Sequence, residues 1–234
     1  MAASSTENHK KSLAVPWANI VRFVRQLSHD IRNTLNAAEL QSAYIAELSE
    51  DAELKKEINR LREMISELAQ NLQRLTVGLG QINPTFMSYR AAEFVEDMKQ
   101  KLATDFAGKD LNTTWEVQLG DVTLNIDPQL LQQAFIELFT NAFQHQRGEG
   151  ALTVRAYTDH DRFVLALREP KARFELSTEN WGCEPLGKIS QGHYGLGLNR
   201  VRIILEAHGG ELRAHYDSSA LMLTTTVTLP LLRE

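Results

Sequence analysis

The sequence predicts an α+β chain, a helical hairpin followed by an α/β sandwich. Two patterns predict it. Up to Leu75, apolar residues recur at helical spacing with a single break. From Thr85 onward, short alternating segments are interspersed with helical ones. The composition agrees, with 43% hydrophobic and 24% charged residues over 234 positions. That is ordinary for a globular protein of one large or two small domains.

Residues 1–15 are small, polar and charged, and are expected to be a disordered tail. Pro16 is placed to open a helix that runs from Ala18 to about Leu48. Projected at 3.6 residues per turn, Val24, Leu27, Ile31, Leu35, Ala38 and Ile45 form one stripe, interrupted by Ser42. Ser49, Glu50 and Asp51 break it. Leu54, Ile58, Leu61, Ile65, Leu68, Leu72 and Leu75 then alternate four and three apart, a heptad seam. Two helices joined by a short loop make an antiparallel hairpin over 16–79. Its stripes are expected to pair in a dimeric four-helix bundle, the alternative being packing on the same chain.

Gly78 to Pro84 reads as a linker, and a second domain is expected over 80–234. Thr85–Ala91 suggests a strand and Ala92–Phe106 a helix. Thr113–Leu119 and Val122–Ile126 are extended. Asp127 and Pro128 suit an N-cap and first helical position, opening a helix to about Gln146. Leu152–Thr158 and Phe163–Arg168 form a strand pair, and Glu169–Gln191 is irregular. Tyr194–His208 is helical and stops at Gly209 and Gly210. Glu211–Tyr216 and Leu221–Leu229 make a final hairpin. Helices then cover one face of a mixed sheet.

A net charge of −5 argues against a dominant nucleic-acid surface. Cys183 is the only cysteine, which excludes an intrachain disulfide or a cysteine-rich metal site. No segment approaches the length of a spanning helix and the N-terminus lacks a signal-peptide core, so the expected compartment is the cytoplasm.

Three groups of residues carry chemistry. His29 points roughly 160° away from the apolar stripe, with Asp30 beside it and Asn33 within about 40°. An exposed imidazole next to a carboxylate can act as a nucleophile; a plain surface histidine is the alternative. Gln133, Glu137, Asn141 and His145 form a polar row at four-residue spacing. Such a row can hold a hydrated Mg²⁺ on its oxygens and bring His145 to a phosphate, or be a solvated face. Gly192, Gly195, Leu196 and Gly197 precede a helix, where glycines allow phosphates to approach and the helix start favours anions. A flexible turn is the other reading.

Taken together, these segments resemble the bacterial two-component sensor histidine kinases. Ser28-His29-Asp30-Ile31-Arg32-Asn33 is similar to their H-box, and Glu137-Leu138-Phe139-Thr140-Asn141-Ala142 to their N-box. Gly195-Leu196-Gly197-Leu198 with Ala207-His208-Gly209-Gly210 is similar to their last glycine box and the lead into the next strand. The resemblance spans about residues 17–232. It implies a dimerisation and phosphoacceptor hairpin followed by a Bergerat-type ATP-binding domain. It further implies autophosphorylation of His29 from Mg-ATP, transfer to a response-regulator aspartate, and a homodimer. By position, His29 would be the phosphoacceptor, Asp30 its general base and Asn33 the residue that positions water in dephosphorylation. Asn141 would ligate Mg²⁺ with Glu137 assisting. One box departs from the family. Where an Asp-x-Gly-x-Gly box reads adenine, this chain has Leu167-Arg168-Glu169-Pro170-Lys171-Ala172-Arg173. Glu169 is the candidate substitute for the Asp, and no phenylalanine-rich lid box is present. The alternative function is an ATP-independent histidine phosphotransferase or a pseudokinase scaffold.

Overall fold

The computed structural model describes residues 16–107, 112–144, 148–175, 177–183 and 195–233. The chain divides into two compact units, Met1–Leu79 and Gly80–Glu234. The expected tail over 1–15 lies outside the described residues.

The first unit is a hairpin of α1 (Trp17–Leu48) and α2 (Ala52–Gly78). Asp51 caps α2, its carboxylate accepting from the backbone N–H groups of Glu53 and Leu54 at 2.8 and 3.3 Å. Within the hairpin, Ser28 and Ser42 of α1 are buried, as are Ile58 and Ile65 of α2. Small serines let the two helices approach closely at that seam. Arg32 donates to Gln73 Oε1 (2.6 Å) and Arg62 to Glu39 Oε1 (2.8 Å), fixing the register.

The heptad seam of α2 splits into two rows. Ile58 and Ile65 are 7 and 8% exposed, whereas Leu54, Leu61 and Leu68 are 46, 48 and 54% exposed. The stripe expected on α1 also divides. Val24 and Leu35 are half-buried, while Leu27, Ile31, Ala38 and Ile45 are exposed. The α1 face that meets α2 is therefore turned away from the centre of the sequence-read stripe. Its buried members are serines, which a search for apolar residues passes over.

The second unit opens with β1 (Met87–Arg90) and α3 (Ala91–Asp105), then β2 (Thr113–Gln118), β3 (Thr123–Ile126) and α4 (Pro128–Gln144). β4 (Leu152–Asp159), β5 (Arg162–Pro170), α5 (Gly197–Ala207), β6 (Glu211–Asp217) and β7 (Met222–Pro230) complete it. Five strands form a mixed sheet in the order β2-β4-β5-β7-β6, in which only the β2–β4 pair is parallel. β1 and β3 pair separately and antiparallel. Alternation sends Phe163, Leu165 and Leu167 of β5 and Val227 and Leu229 of β7 into one core. Phe94, Phe135, Phe139 and Ile204 from the three helices fill the same core. No described helix is long and apolar enough to cross a membrane.

Two differences from the sequence reading bear on the site. β5 extends through Glu169 and Pro170, where irregular chain was expected. Pro170 pairs with Met222 and its carbonyl accepts from Gly148 N (2.8 Å), so the proline closes the strand. α5 begins at Gly197, after Gly195 in the left-handed region at φ 63°. The expected start at Tyr194 lies outside the described residues.

Candidate active site

His29 is exposed on α1, its side chain 65% accessible. Nδ1 lies 3.2 Å from Asp30 Oδ1 and 3.5 Å from Asn33 Nδ2. Gln26, one turn before Asp30, donates to the same Oδ1 at 2.8 Å. The arrangement is local to the helix: the carboxylate is the next residue and the two amides come four residues on from His29 and four before Asp30. Ser28, immediately before His29, faces into the hairpin and is buried, which turns the imidazole outward. The carboxylate at Nδ1 favours the tautomer with the proton on Nδ1, leaving the Nε2 lone pair directed to solvent.

Glu137 and Asn141 stand one turn apart on α4, and Asn141 Nδ2 donates to Glu137 Oε1 at 3.4 Å. The glycine segment meets this pair. A Cβ on Gly197 would stand 1.9 Å from Glu137 Oε1, so a side chain there would have to displace the Glu137 carboxylate. The two sequence signals, about fifty residues apart, thus converge where α4 touches the first turn of α5. Leu196 stands at the N-cap of α5 without a side-chain cap and is itself buried. That helix start carries the positive end of the peptide dipoles. His145 and Gly192 lie outside the described residues.

Asp127 anchors the start of α4. Its Oδ1 accepts from the backbone of Gln129 and Leu130, its Oδ2 from Thr85 N at 2.9 Å. Burial pushes this carboxyl up, but the N–H groups of Thr85, Leu130 and Gln129 and the facing His208 outweigh it and hold it below its ordinary value. His208 Nδ1 lies 2.7 Å from Ile204 O, and Nε2 accepts from Asp127 N at 3.0 Å. The start of α4 and the end of α5 are tied together at this point.

Glu169 is buried near the end of β5, on the face that carries Leu165 and Leu167. Its Oε2 lies 3.0 Å from Lys171 Nζ, and both side chains are almost fully covered. Sequence reasoning assigned Lys171 no role. The available signal was the i, i+2 spacing, which in an extended segment places both side chains on one face. Gln26 was missed too, although it stands one turn before Asp30.

Residues 126–233 match the family of histidine kinase-, DNA gyrase B- and HSP90-like ATPases. The sensor histidine kinase ZraS of Klebsiella oxytoca is 26% identical over 206 residues, which are 80% of this chain and 41% of that protein. SpaK of Bacillus subtilis, also a sensor histidine kinase, is 26% identical over 125 residues, 51% of this chain and 27% of that one. The chain thus spans well under half the length of these curated relatives. Among solved structures, full-length ShkA in complex with AMPPNP aligns with a TM-score of 0.70 at 17% identity, covering 91% of this chain and 46% of that one. The Acinetobacter baumannii histidine kinase AdeS aligns at 0.52 and 18%, covering 86% and 97%. At such identities the structural likeness shows the fold. Residues 126–233 thus match that ATPase family, and the chain as a whole is similar to sensor histidine kinases.

Proposed function

We propose that this chain is a histidine kinase core that phosphorylates its own His29 from Mg-ATP and passes the phosphoryl group to an aspartate of a response-regulator receiver domain, acting as a homodimer. The observation that carries the reading is the exposed imidazole with Nδ1 against Asp30 and Nε2 toward solvent. The Nε2 lone pair attacks the γ-phosphorus of ATP. The bond from that phosphorus to the β,γ-bridging oxygen breaks, and ADP leaves with the electron pair. The Nδ1 proton passes to Asp30, so the phosphorylated imidazole ends neutral. In the second step the regulator's carboxylate oxygen attacks the same phosphorus, the P–N bond breaks with its electron pair going to Nε2, and the proton held by Asp30 returns to Nδ1, so that the imidazole leaves neutral. Asn33, on the same face, is suited to orient water for dephosphorylation.

ATP use agrees with the family match of residues 126–233. Among the described residues no group of three His, Cys, Asp or Glu gathers for a metal. Mg²⁺ does not need one, since it keeps several waters and takes phosphate oxygens. The Asn141 amide oxygen and the Glu137 carboxylate fit that partial set. A bound Mg²⁺ would supply charge neutralisation at the phosphates. Gly195, Leu196 and Gly197 offer close backbone approach at the start of α5. The homodimer is supported by the second row of α2, Leu54, Leu61 and Leu68, left exposed by the hairpin.

Incubation with γ-labelled ATP tests the reading. The expected result is acid-labile label that is absent from His29→Ala and moves onto an added receiver domain. Label that reaches His29 only from a phosphorylated receiver would replace this reading with ATP-independent phosphotransfer. A chain that stays unlabelled by both routes would be a scaffold.

A further inference from the structure

The second unit holds a cavity of about 140 Å³ where α3, β2 and α4 meet. Its wall is aromatic. Trp115 stacks on Phe139 with ring centroids 5.8 Å apart, and Phe143 lies 6.2 Å from Phe139. The two phenylalanines stand two residues on from Glu137 and Asn141, roughly 200° round α4. The cavity is therefore on the opposite face of that helix from the proposed nucleotide site. An apolar cavity of about 150 Å³ takes a single benzene ring, and a ring entering here meets aromatic faces it can pack against.

Two further lining residues supply donors. Lys99 Nζ lies over the Trp115 ring, 5.5 Å from its centre, and meets Glu96 Oε2 at 3.2 Å. Glu96 is 58% exposed, so this ion pair is weak and leaves the ammonium open to a second anion. Thr113 Oγ1 is buried with no hydrogen-bond partner among the described residues. No hydrogen bond holds that rotamer, and rotation about χ1 turns the hydroxyl into the cavity, where a partner would satisfy it. A ring-sized aromatic pocket edged by an ammonium and an unpaired hydroxyl complements a ring that carries an anionic acceptor. We propose that this cavity binds a small monocyclic aromatic carboxylate, its ring against Trp115, Phe139 and Phe143 and its carboxylate at Lys99 and Thr113. This site stands whether or not His29 is phosphorylated from ATP.

Calorimetric titration of the whole chain with benzoate, in the absence of nucleotide, tests the site. The expected result is one benzoate bound per chain, saturably, with a Kd of about 1 mM or tighter. Benzamide has the same shape without the charge and is expected to bind at least about tenfold more weakly, the scale of one charge-assisted hydrogen bond. Lys99→Met keeps the apolar stem and removes the ammonium. It is expected to weaken benzoate by at least about tenfold while leaving benzamide within about threefold. Ala103 lines the same cavity and is exposed, so Ala103→Trp is expected to fill the space and abolish binding of both compounds. Absence of saturable benzoate binding overturns the inference, as does equal affinity for benzoate and benzamide, or benzoate binding unchanged in either folded variant. If Ala103→Trp does not fold, Lys99→Met and the benzamide comparison decide.

Discussion

Asp30 holds the Nδ1 side of the His29 imidazole and also accepts from Gln26, so its carboxylate is positioned before any substrate arrives. On the proposed mechanism its work is to take one proton. Asp30→Asn keeps the shape and removes the base. The labelling rate at saturating ATP is expected to fall by about 10²- to 10⁴-fold. Nucleotide affinity, which depends on the second unit, is expected to stay within about threefold. An equal loss in affinity and rate would make Asp30 a structural residue and sink the base assignment. This part of the site was legible in the sequence because it is local: positions one and four apart on a helix fix who meets whom. Lys171 was not legible for the opposite reason. Its meeting with Glu169 depends on β5 running on past Arg168, and Pro170 gave every local reason to expect the strand to end.

Between helices, Gly197 of α5 fits closely against Glu137 of α4. Periodicity showed the polar row of α4 and the glycines before α5 but not that they touch, since that contact arises from the packing of two helices in the core. The sequence also placed the start of α5 early, because Gly195 and Leu196 carry helical spacing while Gly195 turns the chain the other way. The α1 stripe had a similar fault: two adjacent faces, one for α2 and one left exposed, merge into a single stripe on a helical projection. The contact itself can be tested by a double-mutant cycle. Gly197→Ala drives a methyl group into the Glu137 carboxylate and is expected to cost about 1–3 kcal/mol. In a Glu137→Ala background the same change should cost less than about 1 kcal/mol, because the obstructing carboxylate is gone. Urea unfolding of the four proteins measures this, and equal costs in both backgrounds would mean that the clash is relieved elsewhere.

Across the whole molecule, the two units differ in how they hold together. Every fully buried member of the second unit's apolar core lies between Ala91 and Leu229. That unit has a core of its own, with four phenylalanines among its largest fully buried side chains. The hairpin has, among its described residues, only Ile58 and Ile65 as fully buried apolar side chains. With so few buried apolar side chains a lone hairpin is marginal, and in the proposed homodimer Leu54, Leu61 and Leu68 would be covered by a second copy. Linkage turns this into a measurement, since a unit whose folded form is dimeric melts at a temperature that depends on concentration. Calorimetry over about a hundredfold range of protein concentration is expected to show two transitions. The one belonging to the hairpin should rise with concentration while the one belonging to residues 80–234 stays fixed. Replacing Leu61 and Leu68 by Asp should abolish the concentration dependence and halve the mass seen by sedimentation, with the second transition unmoved. If the wild-type hairpin melts at one temperature across the range, its exposed leucines are not the dimer seam and the homodimer must be built elsewhere.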